Sequence, residues 1–203
     1  MRRREFLKGA AIAPAAVAAS RWSVAAEALG ARSRRISAVV YDERYADCKM
    51  FAETLGRQGA VAYSIQGDAG RAWYGALREH LAACGGGVAG MTTEADRVVS
   101  RECGRELNLR LAYEGSHDGR TPGRLVHRLH GSGAEKEIYA ALLRPDAPWA
   151  ESIAEALSQP PLTDRIMNAI AGTPTLTMRS YPGQFGYLTT WLLMPSTGAN
   201  RQG

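Results

Sequence analysis

The stretch that decides the fold runs from residue 36 to residue 118 and opens with Ile36-Ser37-Ala38-Val39-Val40-Tyr41. This short apolar run, rich in β-branched residues, predicts a buried strand. Comparable runs follow at 60–65, 88–91 and 109–113. Segments with apolar residues at helical spacing separate them, at 42–59, 71–84 and 93–107. Strands that alternate with helices of this length indicate parallel βαβ units and an α/β fold.

The alternation ends after Tyr113. Residues 109–131 are consistent with a hairpin whose second strand is 124–131. Further helices are predicted at 134–144, 147–157 and 165–171, and a late apolar strand at 187–194. We therefore predict a single α/β domain over 27–203, with a βαβ core at 36–118 and a hairpin, helices and late strand at 119–203. The sheet is expected to be three-layered, open and mostly parallel, of the Rossmann-like or flavodoxin-like kind.

The composition of the 203 residues is that of a globular protein, with 45% hydrophobic and 22% charged residues. It excludes a mainly disordered, collagen-like or disulfide-scaffold chain. No apolar run reaches the roughly 18 residues that a membrane-spanning helix needs, so we expect no stable membrane span.

The net charge of +5 is unevenly distributed. Residues 1–26 hold five basic side chains against Glu5, so the remainder of the chain carries a net charge of about +1. Because nucleic-acid binding needs a basic surface on the folded domain, the sequence predicts no nucleic-acid partner.

The first 26 residues have the layout of an export signal. Residues 1–8 are basic, residues 9–19 are apolar and rich in alanine, and Ser23-Val24-Ala25-Ala26 offers small residues for cleavage. Within them, Arg3-Arg4-Glu5-Phe6-Leu7-Lys8 resembles the twin-arginine (Tat) consensus of two arginines, any residue, Phe, Leu and Lys.

This resemblance implies a Tat signal peptide at 1–26. Arg3, Arg4, Phe6, Leu7 and Lys8 would be recognised by the Tat translocase, and cleavage is expected after Ala26. Cleavage after Ala19 or Ala31 is the alternative. The resemblance further implies a periplasmic protein that crosses the membrane already folded, in some cases with a cofactor or a co-exported partner.

Polar residues concentrate where the four predicted parallel strands end. Ligands of open parallel sheets bind beyond these carboxyl ends, which defines a candidate ligand site that we call the strand-end site. It comprises Asp42, Arg44, Asp68, Thr92 and His117. Arg44 is the only cation in the four loops, so a small anionic ligand would depend on it. Thr93 and Asp96 additionally have the spacing of a helix capping box.

Several specific chemistries lack their motifs. The sequence has no Gly-x-Gly-x-x-Gly after the first strand, no Walker motif and no Gly-x-Ser-x-Gly elbow. These absences argue against dinucleotide-binding, P-loop and α/β-hydrolase proteins, and they leave any cofactor unknown.

The histidines and cysteines give weaker signals. In the predicted hairpin His117 and His127 have the same parity and share a face, while His130 points the other way. We expect structural or solvated histidines and no metal; a metal site completed by Asp118 is the alternative. The odd set of Cys48, Cys84 and Cys103 predicts buried free thiols, with a Cys84–Cys103 disulfide as the alternative.

The sequence thus favours a non-catalytic periplasmic binding or accessory protein. One alternative is a periplasmic enzyme in which Asp42, Asp68 and His117 act as acid–base groups. Another is a subunit of an exported oxidoreductase that crosses the membrane together with its partner.

Overall fold

A computed structural model describes residues 35–131, 135–144, 146–159, 175–181 and 186–196. The predicted leader and the predicted helix at 165–171 lie outside these residues. The described part contains seven strands: β1 Ile36–Tyr41, β2 Val61–Ser64, β3 Gly87–Thr92, β4 Leu109–Asp118, β5 Gly123–Gly131, β6 Thr175–Tyr181 and β7 Tyr187–Pro195. It contains six helices: α1 Ala46–Arg57, α2 Ala69–Tyr74, α3 Ala76–Cys84, α4 Glu94–Glu106, α5 Glu135–Leu142 and α6 Trp149–Ser158.

The strands form one mixed sheet in the order β2-β1-β3-β7-β4-β5-β6. Only β1 pairs in parallel, with β2 and with β3, and the other pairings are antiparallel. The α/β class is confirmed, but the prediction of a mostly parallel sheet is wrong. The reason is that β7 inserts antiparallel between β3 and β4, and that β5 and β6 are added antiparallel beyond β4.

The late strand β7 is a central strand of the sheet. It lies between β3 and β4 and is antiparallel to both. Its residues from Leu188 to Met194 are buried. Such a strand must be apolar on both faces, and the run Trp191-Leu192-Leu193 meets this demand. Because β7 separates them, β3 and β4 do not pair, and β4 does not extend the parallel part of the sheet.

The helices cover the two faces of the sheet. On one face α1, α5 and α6 contribute Phe51, Ile138 and Ile153 to a core with Leu192. On the other face α2, α3 and α4 contribute Trp73, Leu77 and Cys103 to a core with Trp191 and Leu193. No helix in the described ranges has the length and apolar character required to cross a membrane.

The packing of β7 requires a glycine in β3. Gly90 lies directly opposite Trp191 in the register, and a Cβ at residue 90 would overlap the indole ring. The Trp191 Nε1 donates a hydrogen bond to Thr92 Oγ1 at 3.1 Å. The indole therefore packs directly on β3 and joins the late strand to the βαβ part.

Some local predictions are confirmed and others corrected. Thr93 caps α4, with the Asp96 N–H donating to its Oγ1 at 3.4 Å, and β4 pairs with β5 as a hairpin. The predicted helix 71–84 is two helices, because Gly75 interrupts it. Val61 and Leu111 lie in runs comparable with the predicted buried strand at 36–41, but they are 44% and 38% exposed. All three cysteines are free; Cys48 and Cys103 are buried, whereas Cys84 is exposed.

Candidate functional site

Asp42 and Arg44 form an ion pair at the end of β1. The Asp42 side chain is fully buried, while the Arg44 side chain is 55% exposed. Arg44 Nε lies 2.9 Å from Asp42 Oδ1 and Nη2 lies 2.5 Å from Oδ2, a bidentate arrangement. The Arg44 backbone N–H also donates to Oδ1, at 3.1 Å. The hydrogen bond and charge of Asp42 raise the pKa of Arg44. The carboxylate of Asp42 is thus already paired with a cation of the protein.

The guanidinium of Arg44 lies against the loop that follows β2. Gly67 has a φ of +84°, and a Cβ there would lie 3.2 Å from Arg44 Cζ. Glycine is favoured at this position by its left-handed backbone and by the close approach of the arginine. The loops after β1 and β2 therefore pack on each other.

Asp68 has a structural role at the start of α2. Its Oδ1 accepts a hydrogen bond from the Arg71 backbone N–H at 3.1 Å. Together with Tyr63, Ser64 and Arg71, it also lines a groove of about 630 Å³ beside the edge strand β2. Asp68 thus borders a cavity of ligand size.

Thr92 is buried where β3 ends. Its hydroxyl donates to the Thr93 carbonyl oxygen at 3.1 Å and accepts the Trp191 indole N–H. The next residue, Thr93, places its hydroxyl 2.6 Å from Asp96 Oδ2. Both threonines thus make hydrogen bonds within the protein, which organise the junction of β3 with α4.

Cys48 lies close behind the Asp42–Arg44 pair. Burial, and secondly the charge of Asp42, raise the pKa of this thiol. A thiol is nucleophilic only as the thiolate. Cys48 is therefore protonated and unreactive at neutral pH.

His117 and His127 form a buried cross-strand pair between β4 and β5. Their Nδ1 atoms are 2.7 Å apart, and both side chains are fully buried. His117 Nε2 lies 2.8 Å from Thr190 Oγ1, and the Tyr113 hydroxyl lies 3.3 Å from the same oxygen. The Trp149 ring packs against both imidazoles, with centroids 4.6 and 5.3 Å away.

This environment keeps the two histidines neutral. Burial lowers the pKa of His127 to about 4. Burial and then the charge of His127 lower the pKa of His117 well below its usual value. In the neutral pair one Nδ1–H donates to the lone pair of the other Nδ1. If both Nδ1 atoms carried a proton, two N–H groups would face each other and neither would have an acceptor in this contact.

The structure separates His117 from the other predicted site residues. A strand that ended at Tyr113 would leave His117 in the following loop, but β4 continues to Asp118 and holds His117 within the sheet. In addition, β7 lies between β3 and β4. His117 is thus two strand positions from Thr92, roughly 10 Å at the usual spacing between strands.

The ends of β1, β2 and β3 are more acidic than cationic. Asp96 acts on Arg44 in the same direction as Asp42, and Glu94 pairs with Arg97, which also binds Glu114. Within the described ranges, no three His, Cys, Asp or Glu side chains are grouped so that they could hold a metal ion.

The shared face of His117 and His127 follows from the sequence, but the residues that enclose the pair do not. Trp149 and Thr190 come from α6 and β7, which lie far from the β4–β5 hairpin in the chain. Strand parity predicts the facing of residues within one hairpin. It contains no information on which later strand or helix will cover them.

Comparisons of the chain with models of known protein families, with curated proteins and with solved structures found no match.

Proposed function

We propose that this chain is an exported, non-catalytic binding or accessory protein that takes a small polar ligand where β1 and β3 end. The observation that carries the proposal is the strand order β2-β1-β3. In this order the chain leaves β1 toward β2 and then returns past β1 to β3, so the topology switches direction between β1 and β3. Ligands of open α/β sheets bind in the crevice beyond such a switch point.

A Rossmann-like relationship of β1, β2 and β3 is part of this proposal. Helix α1, which links β1 to β2, packs on one face, and helices α2 and α3, which link β2 to β3, pack on the other. This alternation supports the relationship for the three parallel strands β2, β1 and β3. Asp42 and Arg44 lie at the switch point, with Thr93 at the start of α4 beside them.

The chemistry of these residues supports binding in preference to catalysis. A general base needs a lone pair that a substrate can reach. Asp42 is buried beneath Arg44, and His117 has both ring nitrogens within hydrogen-bond distance of protein atoms. Because Asp42 and Asp96 balance the charge of Arg44, a ligand with hydroxyl or amino groups fits better than the anion that the sequence suggested.

The ligand site can be tested with a charge-neutral double variant, Asp42→Asn with Arg44→Gln. It removes the ion pair without leaving a buried charge unpaired. We expect amines or polyols that raise the melting temperature of the wild type to lose this effect in the double variant. Thermal-shift measurements across a panel that also contains organic anions check this result.

The matched control removes a second ion pair far from the site. Arg57 Nη2 lies 2.7 Å from Glu151 Oε1 between α1 and α6. The variant Arg57→Gln with Glu151→Gln should keep the wild-type response to every ligand. Equal stabilisation of all three proteins would place the binding site elsewhere.

Export is a separate part of the proposal. Replacing Arg3 and Arg4 together by Lys should leave the precursor inside the cell, because twin-arginine recognition requires the pair. Cell fractionation followed by immunoblotting measures this, and the intact mass of the exported protein should place its N-terminus near Glu27. Normal periplasmic delivery of the double variant would rule out the Tat assignment.

Native mass spectrometry of the exported protein distinguishes the binding protein from the two alternatives. A protein with an exchangeable small ligand supports the proposal. A firmly bound metal or coloured cofactor would favour an enzyme. A stoichiometric larger protein would favour a subunit that travels with an oxidoreductase.

A further inference from the structure

A second groove lies at the other end of the strands, where β4 begins and β7 ends. Its volume is about 450 Å³, within the range of small-molecule sites. The lining residues are Arg101, Arg105, Asn108, Leu109, Arg110, Leu111 and Ser196. Three of these are cations and none of them is acidic. We call this cavity the arginine groove.

The local concentration of cations in the arginine groove is not evident from the net charge of the chain. Residues outside the leader carry a net charge of only about +1, yet three guanidinium-bearing residues line one groove. Arg101 and Arg105 are four residues apart on α4, and like charges at this spacing destabilise a helix. A bound anion would remove that repulsion.

Among the described residues, the carboxylate of Glu102 pairs with two of the three arginines. Arg105 Nη1 lies 2.6 Å from Glu102 Oε2, while Arg101 reaches the other oxygen of Glu102 only at 3.4 Å. The arginine side chains remain 44% and 70% exposed at positions 101 and 105. Arg110, on β4, is also exposed. Glu102 thus already accepts hydrogen bonds from two of the arginines, and an external anion would compete with it for these donors.

We propose that the arginine groove binds a small phosphate monoester. A phosphate monoester carries about −1.5 to −2 charges at pH 7 and has three acceptor oxygens, so it can engage more than one guanidinium. A monocarboxylate offers only one negative charge and two oxygens. Leu111 is 38% exposed beside the arginines, and it offers an apolar contact for the organic part of the ester.

The favourable interaction of a cation with the C-terminal end of a helix does not explain why all three arginines line this groove. Arg105 lies in the last turn of α4, where a cation interacts favourably with the helix dipole. Arg101 lies a full turn earlier, and Arg110 belongs to a different element. An anion held between the helix and the strand accounts for all three residues.

The test is isothermal titration calorimetry of the purified protein with phenyl phosphate at low ionic strength, with inorganic phosphate and benzoate for comparison. We expect saturable binding of phenyl phosphate, weaker binding of inorganic phosphate and the weakest binding of benzoate. The variant Arg101→Gln with Arg105→Gln should bind phenyl phosphate at least tenfold more weakly. The variant Glu102→Gln should bind it severalfold more tightly, since it releases both arginines.

The gain in affinity expected for Glu102→Gln cannot result from misfolding, so it keeps the proposal testable even if the arginine variant is unstable. The strand-end variant Asp42→Asn with Arg44→Gln should bind phenyl phosphate like the wild type, which separates this site from the proposed ligand site. No saturable binding by the wild type would overturn the proposal. So would unchanged affinity in either the double arginine variant or Glu102→Gln.

Discussion

Acidification from pH 7 to pH 4 is expected to remove a large part of the domain's stability through the His117–His127 pair. Burial lowers the pKa of His127 to about 4 and lowers that of His117 well below 6.5. In the unfolded chain both imidazoles titrate near 6.5. Between these values the unfolded state binds more protons than the folded state, so stability falls as the pH decreases.

The expected loss is substantial. His127 alone accounts for on the order of 3 kcal/mol between pH 6.5 and pH 4, at about 1.4 kcal/mol per pKa unit. The total stability of a domain is typically about 5–15 kcal/mol. Asp118, whose pKa Arg120 lowers to about 2, loses its stabilising effect only as the pH falls below about 4. Above about pH 4, the loss of stability caused by the two histidines can therefore be measured without a contribution from Asp118.

Urea unfolding at pH 7, 6, 5 and 4.5 measures this dependence. The variant His117→Gln with His127→Gln carries no imidazole in the core, so its unfolding free energy should change much less with pH than that of the wild type. His130→Gln is the matched control, because His130 is an exposed residue of the same strand as His127. A double variant with the wild-type pH dependence would contradict the assignment.

Val40→Asp is expected to prevent folding. Val40 is fully buried in β1 and belongs to the core that contains Trp73 and Leu77. A carboxylate at this position would have no cation to pair with inside that apolar core. Burying it would cost several kcal/mol, comparable with the whole stability of the domain.

Circular dichroism and soluble yield measure the effect of Val40→Asp, and Val61→Asp provides the control. Val61 lies on the neighbouring edge strand β2 and is 44% exposed, so a carboxylate there stays hydrated. We expect the control to fold with little loss of stability. A folded Val40→Asp protein would show that β1 does not lie in the core.

The local elements could be predicted because their signals are local. The β-branched run at 36–41, the helical spacing after it and the Thr93–Asp96 capping box each depend on residues within one turn or one strand. The β4–β5 hairpin, with His117 opposite His127, likewise follows from strand parity over a short loop. The strand bounds were less accurate, and the early end assigned to β4 put His117 in a loop.

The sequence by itself determined the α/β class, the strands from β1 to β5 and β7, and the facing of the histidine pair. Only the tertiary structure decided that β7 inserts between β3 and β4, that Trp149 and Thr190 enclose the histidines, and that Arg101, Arg105 and Arg110 line one groove. The physical reason is sequence separation. Periodicity determines which face of an element is apolar, whereas the choice of partner for that face depends on the packing of segments that lie up to about a hundred residues apart.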